Sequence, residues 1–131
     1  MRTIIKQSTE KTVDGTDYMV LTVTADLARK DVEVWPPDLL LRSETVRLSR
    51  QIPPIPILID LSNVKDVDLN GAHAILTCHR ILRDGRETVS LMPSKPVMAF
   101  LRLMFIDPHK VVRSRKRFEC LIRKTDTYEE K

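Results

Sequence analysis

Ile57-Leu58-Ile59-Asp60-Leu61-Ser62-Asn63-Val64 is an apolar run that closes on an acid and a hydroxyl, and the fold is read outward from it. From Ile55 to Leu61 only Pro56 and Asp60 interrupt the apolar residues. A segment apolar at both odd and even positions is a strand covered on both faces, central in its sheet, with Pro56 at the entrance where a missing ladder amide is tolerated. Upstream, Met19, Leu21, Val23 and Ala25 alternate with Tyr18, Val20, Thr22 and Thr24, the period of a second strand with one well-buried face. Asp14-Gly15 suits a hairpin turn from an earlier strand around Ile4 and Ile5, although the intervening stretch is long for a tight hairpin.

Helical periods fill the intervals. After Trp35-Pro36-Pro37-Asp38 the chain is free of Gly and Pro to about Arg50, with Pro and Asp where a helix begins. From Asn70 to about Arg83, Ala72, Ile75, Leu76, His79 and Leu82 form a stripe that Ala74, Cys78 and Ile81 widen, as suits a helix lying on a sheet. Val89 and Leu91 mark another strand, and Pro93-Ser94-Lys95-Pro96 reads as a cap and start for a helix through Val97, Phe100, Leu101 and Met104 that Pro108 stops. Val111-Val112 predicts a last short strand, and Phe118, Leu121 and Ile122 a terminal helix or extended arm. Strands alternating with helices call for βαβ units: an α/β domain whose mixed, mostly parallel β-sheet has helices packed against it, with functional loops at the carboxyl ends of the strands.

At 131 residues and 15.1 kDa, one core is expected, and a chain of this length needs no disulfide or metal to fold. Cys78 and Cys120 show no secreted-framework spacing and are expected to be reduced. No apolar stretch approaches the ~20 residues of a membrane span, and the segment from Met1 to Lys6 lacks the apolar stretch of a signal peptide, so the expected location is cytoplasmic, without direct membrane insertion. The net charge of +4 does not demand nucleic acid, but Lys110, Arg113, Arg115, Lys116 and Arg117 form an acid-free run. A strand edge guarded by charge is preferred for it over a phosphate-binding surface.

No catalytic, cofactor or metal residues are expected. Gly15, Gly71 and Gly85 form no phosphate loop, and Ser62 stands in no nucleophile elbow. His73, Cys78 and His79 do not converge, because the five-residue step from 73 to 78 rotates about 140° on a helix; a buried thiol and partly exposed imidazoles are expected. Asp60, Asp66 and Asp68 lack the acidic pair and lysine of a receiver-type magnesium site and read as loop solvation. Asp68 or Asn70 suits a helix cap, Gly71 a close backbone approach, and Trp35 either a partner anchor or a lid on the core.

Asp60-Leu61-Ser62-Asn63-Val64, followed by Val67-Asp68-Leu69-Asn70-Gly71 and a small-residue helix, resembles the core of a STAS domain, the module shared by sulphate transporters and anti-sigma factor antagonists. The likeness continues through Val89-Ser90-Leu91-Met92 and from Pro96-Val97 to Phe105-Ile106-Asp107, covering roughly residues 18 to 122. In the turn, only Asp68 and Gly71 match the family's Asp-Ser/Thr-Ser-Gly. The resemblance implies a non-catalytic regulatory module that docks on a protein partner, an anti-sigma factor or kinase-like regulator. The implied docking surface is Ser62, Asn63, Asp66, Asp68, Leu69, Asn70 and Gly71, with His73 beside it. Phosphorylated members carry phosphate on the Ser or Thr after the turn Asp; here that phosphoacceptor-equivalent position is Leu69, which has no hydroxyl to modify. An accessory subunit of a signalling complex or membrane transporter is the alternative, and a nucleic-acid adaptor acting through residues 110–117 a second. Homodimer formation and binding of a nucleotide or lipid stay open.

Overall fold

The computed structural model describes residues 3–29 and 35–123. Two strands open the chain, β1 (Ile5–Lys11) and β2 (Asp17–Val23), and helix α1 (Pro37–Gln51) leads to β3 (Ile57–Leu61). Helix α2 (Leu69–Arg83), strand β4 (Val89–Pro93), helix α3 (Lys95–Leu103), a 3-10 turn (Pro108–Lys110) and helix α4 (Arg115–Ile122) follow. The sheet order is β1-β2-β3-β4, with the first pair antiparallel and the other two parallel, so the α/β architecture with a mostly parallel mixed sheet is as expected. Every residue of β3 is buried, which is why that strand carries no alternation.

The hairpin is tighter than its sequence suggests because β1 runs to Lys11, well past Ile4 and Ile5. Thr12 N donates to Thr16 O (2.9 Å) and Gly15 N to Thr12 O (3.0 Å), closing a three-residue loop with Gly15 in the left-handed region (φ 85°) that glycine adopts freely. On one face of the sheet, Met19, Leu21, Ile57, Ile59, Leu61, Val89 and Leu91 pack with Leu41 and Leu48 of α1 and Ile75, Cys78 and Leu82 of α2. On the other, Tyr18, Val20 and Leu58 meet Val112 and the Phe118 and Ile122 of α4, whose rings Tyr18 and Phe118 lie 5.4 Å apart. Residues 118 and 122, one turn apart, thus select the helix over the extended arm; Leu121 is exposed.

Three expectations are corrected. Val111 makes only an isolated bridge to Leu91, because the chain turns into α4, and no fifth strand occurs among the described residues. The basic run is therefore not the edge of a strand of its own but spans the 3-10 turn, the connection bonded to the outer edge of β4 through Val112, and the first turn of α4. Helix α3 ends before Pro108: Ile106 N donates to Leu101 O and Phe105 N to Arg102 O (both 3.1 Å), a left-handed C-terminal cap with Phe105 (φ 56°) where glycine is usual.

Among the buried charged side chains without an ion pair, Glu44 and Arg86 are met by backbone groups of distant segments. The Glu44 carboxyl group, on α1, accepts from Ile4 N (2.9 Å) and Ile5 N (3.0 Å) at the start of the edge strand. Arg86 donates to Leu82 O (2.9 Å), Ile52 O (2.6 Å) and Ser49 O (3.3 Å), joining the carbonyl-rich ends of α2 and α1, and burial draws its guanidinium pKa down. Among the described residues, Arg86 Nε is buried with no acceptor. Removing the Glu44 carboxyl strands two buried amides, so Glu44→Ala is expected to lower unfolding free energy by about 3 kcal/mol in urea titrations. A loss below about 0.5 kcal/mol would show that water satisfies those amides.

Candidate functional site

The loop from β3 to α2 is built by carboxyl groups acting on backbone amides. Asp60, buried at the end of β3, accepts from Ser62 N (2.9 Å) and Ser62 Oγ (2.6 Å), which turns the chain out of the sheet. Asp26 Oδ1 accepts from Lys65 N (2.8 Å) and Asp66 N (3.2 Å). Leu27 N donates to Asp66 O (2.9 Å) and Asp68 N to Leu27 O (3.2 Å), so the loop pairs with the segment after β2 through the Leu27–Val67 bridge. From the far side, the hydroxyl of Ser94, which also caps α3, donates to Val64 O (2.6 Å).

Asp68 then starts α2. Its Oδ1 accepts from Gly71 N (2.8 Å) and its Oδ2 from Arg29 N (2.9 Å). The Arg29 side chain reaches on to Asp38 in the first turn of α1, Nε to Oδ1 (3.1 Å) and Nη2 to Oδ2 (3.0 Å). That fork, ahead of the opposing effect of burial, holds the Asp38 carboxyl below the usual carboxylate range. A chain of hydrogen bonds therefore runs from the start of α2 to the start of α1. Gly71 lies where a Cβ would come within 2.0 Å of Leu27 O, so only a glycine lets α2 approach this closely.

On this frame Ser62, Asn63, Asp66, Leu69, Asn70 and His73 are exposed, and Val64, Val67 and Ala72 are buried between them. Leu69, the first residue of α2, is 56% exposed. Two members of the expected surface do other work. Gly71 is buried, and Asp68 is half-buried with both carboxyl oxygens engaged as the cap, a role Asn70 does not take. Asp26, Leu27 and Arg29 complete the site without a sequence signal, since they lie outside any periodic pattern and reach the loop only through tertiary contacts; Ser94 is the helix cap its sequence suggests, and its bond to the loop carries no local signal.

The remaining candidates separate. Asp60 and Asp68 have different partners, and no cluster of three or more His, Cys, Asp or Glu suited to a metal ion occurs among the described residues. His73 is exposed and Cys78 buried, its thiol pushed up to about 11 by burial. His79 is buried, against expectation: its Nε2–H donates to Val89 O (2.7 Å) on the outer edge of β4, and burial holds its pKa below the ordinary 6.5. Trp35 is 55% exposed and so is no lid on the core. No described helix is long and apolar enough to cross a membrane. A groove of about 1300 Å³ beside β4 is lined by both signs of charge, Arg80, Arg83 and Lys110 against Asp84, Glu87 and Asp107, with none of the expected docking residues in it.

Compared with known proteins, the chain matches no family model and no curated protein sequence.

Gly71→Ala is expected to cost about 2–3 kcal/mol, because its added methyl meets backbone that must move; an unchanged urea midpoint would mean the approach is looser than described. For His79 the sign follows from its lowered pKa. Below pH 6.5 the unfolded chain takes a proton that the folded chain refuses, so stability falls as pH drops from 6.5 toward the folded value. The slope from this residue is at most about 1.4 kcal/mol per pH unit, and His79→Gln should remove it; identical pH profiles for the two proteins would refute the assignment.

Proposed function

We propose that the protein is a non-catalytic regulatory module of the STAS kind, which docks through the β3–α2 loop and the start of α2 onto an anti-sigma factor or kinase-like partner. The observation that carries this reading is Leu69: a large apolar side chain held in solvent at the first position of a helix whose mount is tied by Asp26, Asp68 and Arg29. A side chain on a prepared mount loses little further freedom on binding, and a desolvated apolar anchor ringed by polar groups is the usual centre of an interface. Ser62, Asn63, Asp66, Asn70 and His73 supply the polar ring. The succession of hairpin, α1, β3, α2, β4 and α3 in the order of the quoted motifs supports the same reading.

With leucine at the phosphoacceptor-equivalent position, no hydroxyl is available there for a charge of about −1.5 to −2 to be added and removed. In this reading the surface is permanently permissive, and control resides in the partner or in the amount of protein made.

The test is affinity purification from the native cell at physiological salt, comparing wild type with Leu69→Asp. An acid in the first turn of a helix is compatible with the macrodipole, so the variant should keep its melting temperature. Retention of an ATPase-type anti-sigma partner by the wild type, weakened about 30-fold in the variant as expected for an interface anchor worth ~2 kcal/mol, is the expected outcome. Equal recovery by both proteins, or recovery of transporter or scaffold subunits instead, would sink it.

A further inference from the structure

The structure leaves the strongest run of like charge in the chain unused by the docking loop. Lys110 ends the 3-10 turn, Arg113 lies in the connection, and Arg115, Lys116 and Arg117 fill the first turn of α4; all five are exposed. Among the described residues none forms an ion pair: the two salt bridges there are Lys11–Asp17 and Arg29–Asp38. Glu119, the acid one turn along α4, is engaged by the Tyr18 hydroxyl.

Cations in the first turn of a helix face the positive end of the macrodipole, which disfavours each of them. The turn holds three of them, and its opening amides, on Arg115 and Lys116, have no acceptor among the described residues, whereas Arg117 N is met by Ser114 Oγ (3.1 Å). Mutual repulsion, dipole and free donors all ask for an external anion, and the five side chains ask for more than one.

The neighbouring residues select the kind of anion. Val112 and Phe118 are buried and Val111 is half-buried, so residues 110–117 expose no large apolar side chain to enter a lipid surface and no ring on which an unpaired base could stack, while the exposed Leu121 of α4 lines the adjacent groove. The exposed Phe105 lines the adjacent groove, where Asp84, Glu87 and Asp107 oppose a phosphate chain. Arginines, here three of the five, pair with phosphate oxygens as planar forks. We infer that the 3-10 turn and the first turn of α4 form a contact surface for the phosphate backbone of duplex nucleic acid, independent of base sequence and separate from the β3–α2 loop. α4 packs on the sheet face opposite α2, so the two surfaces can be occupied independently.

The experiment measures fluorescence anisotropy of a labelled duplex DNA of arbitrary sequence with the full chain, across a salt series. Neutralising three to five phosphates gives a slope of about −3 to −4.5 in log Kobs against log salt, with binding still measurable at about 150 mM. Arg115→Glu combined with Arg117→Glu should weaken binding at least tenfold and flatten the slope by about two. Because acids suit a helix start, that variant should melt no lower than the wild type. Leu69→Asp should leave duplex binding unchanged. The inference is overturned if duplex binding vanishes at about 150 mM salt, if the double variant binds equally well, or if Leu69→Asp abolishes binding. Tighter binding to a single strand or to phosphatidylserine vesicles than to the duplex would overturn it as well.

Discussion

The approach of α2 to the backbone of Leu27 is the contact on which the arrangement of the β3–α2 end depends. Gly71 allows it by having no side chain, and the geometry then lets one carboxyl group, Asp68, both cap α2 and hold the Arg29 amide. From Arg29 the same network reaches Asp38 and the first turn of α1. Two helices and two crossover segments are thus located by one close contact and a few charge-assisted hydrogen bonds. Bonds of that type are worth roughly twice a neutral one, and a loop so fastened presents its exposed residues at a settled position.

Packing of the sheet proceeds by different means on its two faces. Where α1 and α2 lie, broad apolar stripes meet the strands, and the buried Glu44 and Arg86 at the margins are satisfied by strand amides and helix carbonyls. Each compensates a feature the fold itself creates: unpaired amides at the start of an edge strand, and unpaired carbonyls at helix ends. The second face is covered by the single short helix α4 through Phe118 and Ile122, helped by Tyr18, whose ring packs at a tilt against Phe118 and whose hydroxyl bonds Glu119. A helix of eight residues is marginal alone, so its cationic first turn is tolerated because tertiary packing, not propensity, holds it.

The outer edge of β4 shows a related economy of groups. The carbonyl of Val89 is taken by the His79 imidazole and that of Leu91 by the Val112 amide (2.9 Å), so this edge is closed without a further strand. The first contact accounts for the buried histidine, and the second is as far as Val111-Val112 extends the sheet before the chain turns into α4.

Local periodicity, and prolines that cannot join a ladder or a helix interior, made legible in the sequence the element order as far as α3, the mixed and mostly parallel sheet, the central place of Ile57–Leu61 and the apolar faces of α2 and α3. The sequence also indicated where the loop and its cap would lie, since Asp68, Leu69 and Gly71 are neighbours in the chain. Tertiary structure alone decided the rest. Whether Phe118 and Ile122 belonged to a helix or an arm depended on a second sheet face, and the early end of α3 on a left-handed Phe105 where glycine is the readable signal. Asp26 and Arg29 bond residues 39 or 40 positions away, and no local pattern encodes a contact whose partners meet only when the sheet is assembled.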